Sequence, residues 1–158
     1  MAGLGLPVEL LRVLERAADE RGLAPEAVLA ELLLRIAEPG ERPRVLLGAA
    51  RSLLGHAVSA AERGEMGLAF RRLWSAVVLS LEAVLGEEAP GGLEAFWDAS
   101  ERLGPEAMRG FYAGLAAYLA ARENLGSRRH FEEIRALVEG LLGAVEESLA
   151  GAAASPGS

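Results

Sequence analysis

The sequence contains no cysteine, which excludes disulfides, thiolate nucleophiles and cysteine-based zinc or iron–sulfur sites together. Histidine is scarce as well, with His56 and His130 the only imidazoles. Aromatic residues make up 5% of the chain, so a core must be built chiefly from Leu, Ala and Val. Lysine and glutamine are missing, all 16 basic residues are Arg, and Asn124 is the sole asparagine. Avoiding side chains prone to deamidation fits a thermophile. A GC-rich coding bias produces the same composition, and the two readings stand side by side. No uncharged apolar run approaches the roughly 20 residues that a bilayer-spanning helix needs, and the most apolar stretch, Leu73 to Leu81, is far shorter. Met1 to Leu6 lacks the basic flank and apolar stretch of a secretory signal. A cytoplasmic protein with no membrane partner is the expectation.

What is present points to a globular chain. Of its 158 residues, 51% are apolar and 25% charged, and a domain of about 150 residues buries roughly 70% of its unfolded surface. The formal net charge of -7 repels phosphate backbones, so a nucleic-acid partner would require a local basic patch and is disfavoured. Val and Ile sit at three- and four-residue spacings and no run alternates apolar with polar, which leaves helices as the only regular structure.

Punctuation by Pro and Gly divides the chain. Pro7 opens a helix that runs to about Arg21 and stops at Gly22; Ala24 and Pro25 open a second that carries Val28, Leu29, Leu32, Leu33 and Ile36. These two form an N-terminal helical hairpin over residues 1–40. Glu38 to Pro43, with two Pro and one Gly, is a turn or short linker. Residues 41–150 then read as five helices, from about Arg44 to Arg63, Met66 to Leu85, Leu93 to Leu103, Pro105 to Arg122 and His130 to Leu149. The second of these is the central one, with Ala76 and Ser80 on a closely approachable strip. Residues 151–158 are small and uncharged and are expected to form a disordered tail.

Chemistry-bearing residues are few. Arg51 and His56 lie five apart on one helix, a cation and a general acid/base of the kind that a metal-independent ribonuclease sets beside one phosphate. Five helical steps separate them by roughly 140°, so they share a face only where the helix starts or bends; ordinary surface roles are the alternative. Arg71, Arg72 and Trp74 concentrate cation and indole and could seat a nucleotide by stacking, or Trp74 could be core while the two Arg pair with neighbouring acids. Arg128, Arg129 and His130 make a small basic knot at a helix start. Adjacent carboxylates such as Glu132 and Glu133 point apart on a helix, so no metal centre and no cofactor are expected. No phosphate loop or nucleophile elbow occurs. Gly3 to Pro7 ahead of two short helices has the outline of half a ribbon-helix-helix DNA-binding unit, without a base-reading side chain.

The run Ala61-Glu62-Arg63-Gly64-Glu65, leading into Ala69-Phe70-Arg71-Arg72-Leu73-Trp74-Ser75-Ala76-Val77-Val78, resembles the crenarchaeal paREP family, a branch of the HEPN helical domains. Arg109-Gly110-Phe111-Tyr112-Ala113-Gly114 resembles the aromatic pair that opens a later helix in the same family, which adds Arg109 and Tyr112 as ligand-binding candidates. The resemblance implies an all-α, antiparallel up-and-down helical bundle that dimerises. HEPN ribonucleases place a His shortly after an Arg near a late helix start; Arg109 has no such His, and Arg51 and His56 lie in a different helix. The expectation is a non-enzymatic, homo-oligomeric interaction module that binds a nucleotide or protein partner. The alternative is a HEPN-type ribonuclease or toxin component of a toxin–antitoxin pair.

Overall fold

The computed structural model of the chain describes residues 5–86 and 92–154, which form seven α-helices and no strand. Helix α1 (Val8–Arg21) begins after Pro7 and ends at Gly22, whose φ of 68° closes the helix while Leu23 N–H donates to the Ala18 carbonyl. Only glycine fits there, because a Cβ would run into the ring of Tyr118. Helix α2 (Pro25–Leu33) starts on its proline and ends three residues before Ile36; Leu34–Ile36 form a turn rather than a last helical segment. A 3-10 turn over Pro39–Glu41 leads into α3 (Arg42–Glu62), two residues ahead of the expected start because Pro43 sits in the first turn, where its missing N–H costs nothing.

Helices α3 and α4 (Met66–Leu85) fold back on each other across a tight turn and share the most extensive helix contact in the chain. Helices α5 (Leu93–Leu103), α6 (Pro105–Arg122) and α7 (Arg128–Ala154) follow. The Gly151–Ala154 stretch continues α7, because three alanines favour helix, and residues 155–158 of the expected tail lie outside the described residues.

Helix α4 is the hub. It packs against α3, α6 and α7, with smaller contacts to α5 and α2. Phe70, Leu73, Val77 and Leu81 of α4 are fully buried with Phe111 of α6 and Phe131, Leu141 and Leu142 of α7. Ala76 and Ser80 are buried too, and the glycines of α6 serve the same close approach. A Cβ on Gly110 would lie 2.7 Å from the Leu137 carbonyl, and one on Gly114 would lie 2.8 Å from Val77 Cγ2. These small residues are therefore used for close helix contacts inside the chain. No helix of the described residues is long and apolar enough to cross a membrane.

Candidate functional site

The hairpin meets the bundle along a polar strip of α4. Arg71, Ser75, Val78 and Glu82 recur at four, three and four residues, which sets them in one row along the helix. Each polar member holds the hairpin differently. Ser75 Oγ accepts the Ala24 N–H at 2.8 Å and donates to the Arg71 carbonyl at 2.8 Å, and the hydroxyl is fully buried. Arg71 pairs with Asp19 at 2.5 Å at the end of α1. Arg72, one residue out of the row, reaches Glu26 of α2 at 3.3 Å and the His56 carbonyl of α3 at 3.2 Å.

At the far end of the row a half-buried carboxylate pair is bracketed by two guanidinium groups. Glu31 of α2 takes a bidentate contact from Arg21, the longer arm at 3.1 Å, and shares its cleft with Glu82. Burial first, then the hydrogen bond to Glu31 and that group's negative field, push the Glu82 carboxyl up to about 9. Burial opposes ionisation of Glu31 as well. The hydrogen bonds from Arg21 and Glu82, with the fields of Arg21 and Arg42, outweigh it and hold Glu31 below the usual carboxylate range. Adjacent like charges disfavour each other, and the opposite directions of the two shifts keep the proton on Glu82 and the charge on Glu31. These four residues line a cleft of about 240 Å³ with Leu85 and Phe96. A second cleft, of about 430 Å³, opens at the other end of the seam between Asp19, Arg71, Tyr118 and Arg122.

The residues singled out from sequence do not converge. Arg51 pairs with Glu146 and so ties α3 to α7 at the surface. His56 is exposed, and α3 runs unbroken between the two, so they remain on different faces. Trp74 is 5% exposed and packs between Phe111 and Tyr118, with centroids 6.4 and 5.8 Å away, instead of stacking on the two neighbouring Arg. Arg71 alone of that trio opens onto the larger cleft, while Trp74 walls a third one with Val78 and Glu82. Arg109 is exposed and forms no ion pair among the described residues. Tyr112 is half-exposed, edge-on to Trp97 at 5.4 Å. The basic knot caps α7: His130 Nδ1 and Ser127 Oγ lie 3.0 Å apart, and Arg128 and Arg129 pair with Glu132 and Glu133 one turn on.

Sequence reasoning missed Arg21, Glu31, Arg42 and Glu82. One signal was available, since Glu82 is the only acid in α4 and lies in phase with Ser75 and Arg71. The chain matches no protein family, no curated protein and no solved structure.

Proposed function

We propose that the chain is a non-catalytic helical interaction module, a HEPN-like up-and-down bundle of the paREP kind that works as a homodimer in the cytoplasm of a thermophile. The observation that carries this reading is a concentration of uncovered apolar side chains on the hairpin. Val8, Leu10 and Val13 are each 56% exposed and Ile36 is 83% exposed, with Leu11, Leu32 and Leu33 exposed beside them. Scattered exposed aliphatics are ordinary, but seven within one hairpin mark a contact surface. The charged groups support the same reading, because Arg51, Arg71, Arg72 and Arg128 are engaged in joining helices within the chain.

Sedimentation of the full chain tests it, with dimers at micromolar concentration as the expected result and monomers throughout as the overturning one. The ribonuclease alternative makes the opposite prediction on RNA. The wild-type chain is expected to leave single-stranded RNA intact; cleavage that disappears in His56→Ala would replace the interaction-module reading.

A further inference from the structure

Helix α1 is amphipathic, and while Leu14, Ala17 and Ala18 pack against the core, the apolar side chains around its first turns cover nothing. Its backbone closely approaches only α2, and from Val8 to Ala17 no side chain is buried. Leu10, Leu11, Val13 and Leu14 fall within one face of the helix, and the first three of these are exposed by 56, 37 and 56%. The neighbouring α2 adds Leu32 and Leu33, each 47% exposed, and Ile36 follows in the turn after it. A helix held this way in water exposes the side chains that ordinarily drive its packing.

We propose that this stripe seats the α1 helix of a second copy of the same chain, the two running antiparallel about a two-fold axis, with Leu32, Leu33 and Ile36 of each copy widening the contact. The proposal rests on the reading that the chain self-associates, and adds where and in which orientation. Area is the first support. Leu10, Leu11 and Val13 of α1 with Leu32, Leu33 and Ile36 are all exposed, and with their polar flanks they supply apolar surface toward the roughly 800 Å² that one side of a standard interface buries.

Charge is the second. Glu9 and Arg16 are one heptad apart and so lie along the same edge of the stripe, beside Val13. A two-fold axis perpendicular to paired antiparallel helices brings like edges together with reversed polarity. Glu9 of each copy then meets Arg16 of the other, at both ends of the contact. A parallel pair would instead set this edge against the opposite edge of the partner's stripe, and Glu9 would not meet Arg16. The polar side of this part of α1 carries Glu9, Arg12, Glu15 and Arg16, two of each sign, so the chain's excess negative charge does not oppose the approach. The same balance argues against an anionic membrane as occupant, because interfacial helices carry a predominantly basic polar face.

Sedimentation equilibrium of the full chain and four variants tests this. Val13 is exposed, so Val13→Glu leaves the core intact; it is expected to convert the dimer to monomer, weakening association at least about tenfold. Glu9→Arg and Arg16→Glu are each expected to weaken the dimer about threefold to tenfold, since each places like charges at both ends. The double variant Glu9→Arg/Arg16→Glu is expected to recover wild-type affinity. A wild-type dimer untouched by Val13→Glu overturns the proposed interface and leaves self-association standing. A double variant as weak as the singles overturns the antiparallel orientation. A wild-type chain that stays monomeric sinks both readings, and one that is monomeric and floats with phosphatidylserine vesicles assigns the stripe to a lipid surface instead.

Discussion

On folding, the Glu82 carboxyl moves from 4.5 to about 9, so between those values the folded chain holds a proton that the unfolded chain has released. The stabilisation is complete at the acidic end of that window and is lost as pH rises through 9. Glu31, held low by Arg21 and Glu82, runs the other way and loses its contribution only in acid. Thermal melting of the wild-type chain is therefore expected to fall between about pH 6 and pH 9, with Glu82→Gln flattening the dependence. A Glu82→Gln melt that still tracked the wild-type curve would locate the titration elsewhere. Gly22 is as sharply defined: Gly22→Ala adds a left-handed backbone penalty to a collision with Tyr118, and a loss of about 1–3 kcal/mol in denaturant unfolding is expected. The stop at Gly22 was legible because glycine after a periodic apolar run closes a helix. That Tyr118 presses on it was not, because the two are 96 positions apart and only the fold brings them together.

Helices α4, α5 and α6 run between the limits that punctuation implies, bounded by Gly or Pro except at the end of α6, where Asn124 takes a positive φ. Where local signals were weaker, packing decided. The last turn of α2 is missing although Ile36 is in phase with Leu29 and Leu32, and α7 runs past Leu149 through a Gly that composition alone reads as a stop. The seam was illegible for a different reason. Arg21, Glu31, Arg42 and Glu82 come from four helices, and nothing in the spacing of one helix reports the phase of another. Hairpin docking adds the Ala24–Ser75 hydrogen bond and ion pairs to the burial of Ala18, Leu23, Ala27 and Val28, whereas the α3–α4 pair rests chiefly on buried hydrocarbon. Ser75→Ala leaves the buried Ala24 N–H without its acceptor, at a cost of about 1–2 kcal/mol. Amide exchange is expected to quicken over residues 24–30 in that variant and to stay unchanged over α6 and α7. Equal acceleration throughout would mean that the hairpin and the bundle unfold as one unit.

At the scale of the whole molecule, all-α architecture followed from composition and periodicity, and the central place of α4 from its run of small and aliphatic residues. What the charged residues do was not available at that level. Arg51 and Arg72 have the residue type of a nucleic-acid or phosphate contact, and the structure engages both in ion pairs that join helices. If those pairs are chiefly structural, Arg51→Ala is expected to lower stability by less than about 1 kcal/mol, as for other exposed ion pairs, with no change in dimer affinity. The row of rings running from Tyr118 through Trp74 and Phe111 to Trp97 and Tyr112 has an optical consequence. Its two indoles sit at opposite extremes, Trp74 at 5% exposure beneath the limb formed by α1 and α2, Trp97 at 43% on the outer surface. Acrylamide quenches the second and spares the first until the limb lifts, so fluorescence reports from a single cuvette, and without any added dye, whether that limb is open or shut.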